Sequence, residues 1–234
     1  MKNIVVISIC LLLLQGLTSC NTATKTETRE VSGFSAISFK AFGELIIEQA
    51  DEESLVVEGP INYLRYLTTE VEDGTLYLET RRGFVGTPTS RVTFRLKVKD
   101  LDDISFSGAG MIKIYAFTTD TIAVTLDGAG TIEMDNLQAN SLDLLLNAAG
   151  AIVIAGEVDE QNVVLNGVGS YEGGDLASRK ASVLLSGAGS AVVWATDTLD
   201  VTIAGLGSVS YFGSPQVTQN ISGLGTVNSK GERR

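Results

Sequence analysis

The sequence predicts an all-β protein built as a parallel β-helix, a β-solenoid in which coils of about 20 residues stack on one another. Two observations predict it. A phrase of small residues such as Ser-Gly-Ala-Gly recurs at nearly constant spacing, and apolar residues alternate with polar ones on both sides of each copy. With 234 residues, 44% of them hydrophobic, the chain is long enough to bury a sizeable core.

The first 19 residues have the anatomy of a secretory signal. Lys2 is followed by the apolar run Ile4–Leu14, which only Ser8 interrupts, and the segment ends in Leu17-Thr18-Ser19-Cys20. These last four residues resemble the lipobox of bacterial lipoproteins, which implies cleavage before Cys20 and attachment of lipid to it. Cys10 is lost with the signal, so the mature chain keeps no thiol for a disulfide.

Lipid on Cys20 would attach the mature protein to a membrane. We expect an exported protein anchored through Cys20 in the cell envelope, most naturally in the outer membrane, and facing either the periplasm or the cell exterior. Residues 20–30 are polar and Thr-rich, which predicts a flexible tether. The alternative is a plain secretory signal followed by a free cysteine.

The repeated phrase covers residues 101–227. Its copies end in glycines that are 18 to 20 residues apart: Gly110, Gly130, Gly150, Gly169, Gly189, Gly207 and Gly225. Apolar residues recur six and four positions before this glycine and two and four positions after it, which is the spacing of strands with one inward face. Each copy therefore predicts a strand, a corner, a second strand and a looser third side.

The corner explains the glycines and the polar residues beside them. A sharp corner favours glycine because glycine adopts positive φ without penalty. Short polar residues precede the corner and are expected to form hydrogen bonds from coil to coil. They are Ser107, Asp127, Asn147, Asn166, Ser186 and Ser222.

The region from residue 31 to residue 100 follows the same plan less regularly. Residues 36–47 align with residues 103–114 without a gap, so Gly43 marks an earlier corner. The interval up to Gly110 suits about three wider coils. Asp73-Gly74, between two alternating runs, could instead close a hairpin, and a helix is expected only around residues 60–67. Residues 228–234 form a polar tail.

Several of these segments together resemble one family. They are the lipobox, Gly33–Ile37, Thr68–Leu78, the Ser-Gly-Ala-Gly repeats and Tyr211–Pro215. Over residues 31–227 the chain resembles the bacterial putative auto-transporter adhesin, head GIN domain family. The resemblance implies a right-handed β-helix on an exported adhesin, and it implies no catalytic residues.

Composition removes several function classes. The net charge of −11 argues against a nucleic-acid partner, and the absence of histidine removes the commonest general base and zinc ligand. No Lys-Ser or Lys-Thr follows the glycines as a P-loop requires, and Asp127 is the only aspartate at a corner, which disfavours a calcium β-roll. We therefore expect no catalytic, cofactor-binding or metal-binding residues.

Two surface features suggest binding. Tyr115, Trp194 and Phe212 occupy one outward column and could form a flat platform for sugar rings or an apolar partner. The second feature is a stripe of apolar residues in columns that should face water, which predicts self-association or partner binding. The stripe contains Leu145, Val153, Val164, Leu184 and Val192.

The leading hypothesis is a non-catalytic cell-envelope lipoprotein that acts as an adhesin or as a glycan-binding or protein-binding module. The alternatives are a polysaccharide-acting enzyme on a β-helix scaffold, for which Asp175, Arg179 and Lys180 are the charged cluster to inspect, and a purely structural envelope protein. A groove with converging carboxylates and bases would favour the enzyme.

Overall fold

A computed structural model of the protein describes residues 23–233 and shows a nearly all-β solenoid of about six turns with coils of around 20 residues. The predicted fold class is confirmed. The elements are β1 (Thr24–Arg29), β2 (Ala36–Lys40), β3 (Phe42–Gln49), β4 (Ser54–Pro60), α1 (Ile61–Leu64), β5 (Leu67–Glu72), β6 (Thr75–Thr80), β7 (Thr93–Val98), β8 (Asp103–Phe106), β9 (Ala109–Thr118), β10 (Thr121–Leu126), β11 (Ala129–Leu146), β12 (Ala149–Leu165), β13 (Val168–Leu185), β14 (Ala188–Ile203), β15 (Leu206–Phe212), β16 (Gln216–Ile221) and β17 (Leu224–Ser229).

The regular coils stack in parallel and in register. Gly130 aligns with Gly110 in the coil before it and with Gly150 in the coil after it. The long strands β11 to β14 each run from just after one corner to the next, so one strand supplies two sides of the solenoid and bends between them. Parallel pairing satisfies the backbone groups of every coil that has a neighbour on both sides.

The predicted inward columns form the core. One column contains Ile112, Ile132, Ile152, Tyr171, Ala191 and Val209, and each of these side chains is at most 1% exposed. The described core residues all lie between Val31 and Val209. The last coil has no neighbour beyond it among the described residues, and its inward Ile221 is 41% exposed.

The corner glycines are needed for clearance rather than for an unusual backbone angle. A Cβ on Gly130 would lie well inside van der Waals contact of the Gly110 carbonyl oxygen in the coil before it, and the same close approach recurs along the stack. Of the seven glycines that end the repeats, only Gly110 and Gly207 have positive φ, at 140° and 152°. The expectation that these corners need positive φ is therefore wrong for most of them.

The predicted polar column forms side-chain hydrogen bonds in its middle coils. Asn147 Nδ2 donates to Asp127 Oδ1 at 2.7 Å, and Asn166 Nδ2 donates to Asn147 Oδ1 at 3.0 Å. These amide and carboxylate side chains reach across the strand spacing, which a serine hydroxyl is too short to span.

At the N-terminal end the chain does not wind in sequence order. Strands β5 and β6 form an antiparallel hairpin around Asp73-Gly74, so the hairpin alternative is the one that the structure shows in place of wider coils. Strand β6 then pairs in parallel with β2, and β2 pairs with β8. The coil that contains Gly43 therefore lies second in the stack, beneath a coil formed later in the chain.

Strands β1 and β4 complete this end. Strand β4 is antiparallel to β7, and β1 is antiparallel to β4. The prediction of a flexible tether over residues 20–30 is wrong for Thr24–Arg29, because the backbone pairs with β4 along its whole length. The Arg29 guanidinium also donates to the Leu67 carbonyl and to Thr69 Oγ1, both at 3.0 Å, which ties β1 to β5.

The predicted signal segment and Cys20 lie outside the described residues. Within residues 23–233, no helix combines the length and the hydrophobicity that crossing a bilayer would require.

Candidate binding surface

An apolar ridge runs along the outer edge of the corners. It is formed by the residue that lies between the two small residues of each corner, and it is called the corner ridge below. In strand register, Val168 lies beside Ala188, Ala188 beside Leu206, and Leu206 beside Leu224. The full column is Phe42, Ala109, Ala129, Ala149, Val168, Ala188, Leu206 and Leu224.

The large members of the corner ridge are unusually exposed. Val168 is 65% exposed, Leu206 is 54% exposed and Leu224 is 77% exposed. The flanking positions are mostly glycines, which have no side chains to cover them. Such a continuous exposed apolar patch on a folded protein is typical of an interaction site.

Sequence reasoning did not identify this surface. It treated the residue between the two glycines only as a small residue that lets the wall bend. A signal was present, because this residue grows from alanine in the early copies to leucine in the last two. If this position required only a small residue, the last two copies would not have leucine there.

The structure brings together part of the predicted apolar stripe. Leu145 lies beside Val164, and Val164 lies beside Leu184, on consecutive coils of the strand before the corner. Val153 and Val192 lie on the strand after the corner, where Glu172 separates them. Val153 is 39% exposed and Leu184 is 36% exposed. The corner ridge lies between the two halves of the stripe.

The structure also brings together two of the three predicted platform residues. Trp194 and Phe212 are direct neighbours on β14 and β15. Tyr115, which is 42% exposed, lies on β9, and strands β11 to β13 separate it from Trp194. The Lys113 ammonium lies 5.4 Å from the centre of the Tyr115 ring.

The C-terminal tail covers the Trp194–Phe212 pair. The Arg233 guanidinium lies 4.9 Å from the centre of the Phe212 ring and 6.0 Å from that of Trp194, and it forms an ion pair with Asp175. Lys230 N–H donates to the Tyr211 carbonyl at 2.7 Å, which holds the tail against the last full coil. An aromatic face covered in this way is not open to a sugar ring.

The charged cluster considered for catalysis is spread over separate ion pairs. The Arg179 guanidinium lies 3.3 Å from Asp197 and 3.6 Å from Asp159, and Lys180 donates to Glu160 at 2.6 Å. The hydrogen bond from Lys180 lowers the pKa of Glu160. These pairs cross from coil to coil on an exposed surface, and Arg179 and Lys180 pair with different carboxylates rather than sharing one site. No group of three possible metal ligands occurs among the residues that the structure describes.

One polar cluster is buried inside the solenoid. Tyr171 Oη donates to Gln161 Oε1 at 2.9 Å, Gln161 Nε2 donates to Ser178 Oγ at 2.9 Å, and Ser178 Oγ donates to the Trp194 carbonyl at 2.6 Å. Burial raises the pKa of the Tyr171 phenol. The cluster lies where the register between β13 and β14 shifts from Gly173 to Ala177. Its fully satisfied hydrogen bonds are typical of a structural role.

Comparison with known families identifies the chain. A family model described as "Putative auto-transporter adhesin, head GIN domain" matches residues 33–215. The chain belongs to this family. Membership in the head GIN domain family indicates an exported protein of the cell envelope.

Solved structures of similar proteins agree with this assignment. A putative adhesin from Bacteroides fragilis is 25% identical with a TM-score of 0.86, covering 88% of this chain and 97% of its own. A putative lipid binding protein from Parabacteroides distasonis is 26% identical with a TM-score of 0.69, covering 89% and 97%. A putative adhesin from the same species, 22% identical with a TM-score of 0.66 and coverage of 89% and 98%, shares the fold. No curated protein matches this head GIN domain chain.

Proposed function

We propose that this protein is a non-catalytic, lipid-anchored adhesin of the cell envelope that uses the corner ridge to bind an apolar patch on a partner protein. The exposure of Val168, Leu206 and Leu224 in one column of the stacked coils carries the proposal. Fully burying a valine or leucine side chain is worth about 1.5–3 kcal/mol. Three such residues on a rigid scaffold supply a useful anchor, because little side-chain and backbone ordering opposes binding.

A protein partner fits this surface better than a glycan. Sugar rings favour flat aromatic faces, and the Trp194–Phe212 face is covered by Arg233. The corner ridge has a narrow aliphatic crest with polar residues such as Asn166 and Ser186 beside it. An apolar centre surrounded by a polar rim is the usual anatomy of a protein interface.

The stripe of Leu145, Val164 and Leu184 supports a broader form of the same proposal. Its residues lie on the three consecutive coils that carry Ala149, Val168 and Ala188, so a partner seated on the corner ridge can extend onto it. The partner is either another protein or a second copy of this chain. Sedimentation of the purified protein separates the two, because only self-association changes its mass.

The ridge can be tested with matched variants. Beads coated with the double variant Leu206→Asn and Leu224→Asn should lose at least tenfold in adhesion to a panel of extracellular-matrix proteins and epithelial cells. Val71→Asn is the control, because Val71 is an exposed apolar residue on the β5–β6 hairpin, at the opposite end of the stack from Leu206 and Leu224. Equal adhesion by both variants and the unaltered protein would refute the ridge as the binding surface. Binding to a glycan array that only Trp194→Ala removes would favour the glycan hypothesis.

The anchor is tested separately. The protein from membranes of its own host should have the mass of the chain from Cys20 onward plus acyl chains, and it should fractionate with the outer membrane. Cys20→Ser should release it into the soluble fraction. A water-soluble, unacylated native protein would disprove the anchor and leave the ridge proposal standing.

A further inference from the structure

A basic segment at the N-terminal end of the solenoid contrasts with the rest of this acidic protein. Residues 81–99 contain six basic residues and no acidic residue, although the chain has 17 basic and 28 acidic residues in all. Arg81 and Arg82 are exposed, and so is Arg65, which follows α1. These three arginines, with Ile61 and Val85, are called the end patch below.

A backbone hydrogen bond, the spacing of residues in α1 and a contact between two aromatic rings bring the end patch together. Arg81 N–H donates to the Tyr66 carbonyl at 2.7 Å, which places Arg81 beside Arg65. Ile61 and Arg65 are four residues apart across α1 and therefore lie on one side of it. The Phe84 ring packs 4.8 Å from the Tyr63 ring, so the loop that carries Val85 folds back over α1.

The end patch has the character of an interfacial surface. Val85 is 92% exposed and Ile61 is 45% exposed, so two apolar side chains lie among the arginines. Within residues 23–233, none of Arg65, Arg81 and Arg82 forms an ion pair. Arginine binds phosphate groups through a planar fork of donors, and apolar side chains between arginines can enter the headgroup region of a bilayer.

The chain enters the fold at this same end. Ile61 N–H donates to the Ala23 carbonyl at 3.0 Å, so Ala23 lies at the start of α1. Only three residue steps separate Ala23 from Cys20, and a chain of that length spans at most about 11 Å. A lipid on Cys20 would therefore hold α1 close to the headgroups.

We infer that the end patch docks on a phosphate-bearing membrane surface, with Arg65, Arg81 and Arg82 on lipid phosphates and with Ile61 and Val85 at the acyl boundary. The inference rests on the proposed lipid anchor for its biological setting. It deepens the proposed function by assigning the orientation of the protein. Because β6 and β16 lie at opposite ends of nine stacked strands, docking places Leu206 and Leu224 roughly 40 Å further from the bilayer than the end patch.

The test supplies an artificial anchor so that it does not depend on lipidation of Cys20. The chain from residue 21 onward, which contains the whole described core, carries a hexahistidine tag and is captured on vesicles that contain a nickel-chelating lipid. The natural chain has no histidine, so capture occurs only through the tag. This chain also has no cysteine, so Val85→Cys accepts one environment-sensitive fluorophore. Val168→Cys on the corner ridge serves as the control site.

On phosphatidylcholine vesicles with 30% phosphatidylglycerol, the probe at residue 85 should shift to the blue and be quenched by brominated lipid, and the probe at residue 168 should not. Combined Arg65→Gln, Arg81→Gln and Arg82→Gln should lower the docked-to-free ratio roughly 100-fold, from about fivefold per basic residue. Combined Arg95→Gln, Lys97→Gln and Lys99→Gln removes the same charge from β7 and the residue that follows it, and should change the ratio much less.

Three results would overturn the inference. They are an unshifted probe at residue 85 on the anionic vesicles, equal docking by the two triple variants, and quenching at residue 168 in place of residue 85. The variants should fold normally because all six substituted side chains are solvent-exposed. Near-UV circular dichroism checks this. If the native protein carries no lipid but the tagged chain docks as described, the anchor fails and the inference stands.

Discussion

The hydroxyl group of Tyr171 donates a hydrogen bond to the side-chain carbonyl oxygen of Gln161 at 2.9 Å, and both residues are fully buried inside the solenoid. Tyr171 occupies a column that the other regular coils fill with isoleucine, alanine or valine, and that the two N-terminal coils fill with Leu45 and Phe94. Gly173, two residues later, stands where every other repeat except the last has a large side chain, and a Cβ on Gly173 would collide with the Tyr171 phenol. The absence of a side chain at Gly173 therefore leaves the space that the Tyr171 phenol needs to reach Gln161 inside the apolar core.

Tyr171→Phe should lower the free energy of unfolding by about 1–3 kcal/mol, because it leaves Gln161 Oε1 buried without its donor. Urea denaturation followed by circular dichroism measures this. Tyr211→Phe is the control, because Tyr211 is only partly buried and its hydroxyl forms no hydrogen bond with any residue that the structure describes. Equal losses in the two variants would contradict the structural role of the bond.

Alkaline pH should destabilise the protein through the same residue. Burial raises the pKa of Tyr171 in the folded state, whereas an unfolded tyrosine titrates near about 10. A folded pKa above the unfolded value means stability that is complete below pH ~10 and is lost as pH rises further. Each such tyrosine contributes a slope of about 1.4 kcal/mol per pH unit there.

Tyr171→Phe should remove the contribution of one tyrosine to the decrease of stability with pH. Tyr63 remains, because burial raises the pKa of its phenol too. Urea midpoints measured between pH 8 and pH 11.5 test this. An unchanged slope in the variant would show that Tyr171 is ionised in the folded protein.

Gly130→Ala should destabilise the protein by about 1–3 kcal/mol, because the added methyl forces the coil away from the Gly110 carbonyl. Ala129→Ser is the neighbouring control, since Ala129 faces solvent on the corner ridge and should change stability by less than about 0.5 kcal/mol. Thermal unfolding ranks the two variants. A harmless Gly130→Ala would mean that the coils can separate locally at little cost.

Arg233→Ala should uncover the Trp194–Phe212 pair. Trp194 is the only tryptophan, so its fluorescence reports the change directly. We expect a shift of its emission to the red and faster quenching by acrylamide, with little effect on the melting temperature because the cover is a surface contact. Arg91→Ala is the control, since the Arg91 side chain is 81% exposed and distant from Trp194. Unchanged quenching would show that the tail does not cover the ring in solution.

Leu184→Glu should weaken self-association if the apolar stripe joins two copies of the chain, because each copy would bury a new charge. Thr202→Glu introduces the same charge at the adjacent position of the same column and is the matched control. Sedimentation velocity over a range of concentrations measures the effect. A mass that Leu184→Glu leaves unchanged at every concentration would rule out the stripe as a contact between copies.

The repeating part of the fold could be predicted from the sequence because the residues of each coil alternate between apolar and polar in a pattern that is complete within that coil. Ile132 and Ile152 are inward because the residues around them alternate with period two, and their partners are their own equivalents one coil away. Gly130 marks a corner for the same local reason. Stacking adds register to this pattern and does not alter it.

The non-repeating parts depend on contacts that no local pattern specifies. The polar composition of Thr24–Arg29 predicts a tether, whereas pairing with β4 and the hydrogen bond from Arg29 to β5 order this segment as strand β1. The position of the Gly43 coil beneath the β6–β7 coil likewise depends on pairing between strands that are distant in sequence.

The sequence by itself determined the solenoid, its inward columns and its corners, because repeats of about 20 residues bury their apolar faces by stacking on one another. Only the tertiary structure decided which outward residues are accessible. It covers Trp194 with Arg233, leaves Leu224 exposed, and gathers Arg65 and Arg81 at the end where the chain enters. Accessibility depends on what lies above a side chain, and the residues above it come from elsewhere in the chain.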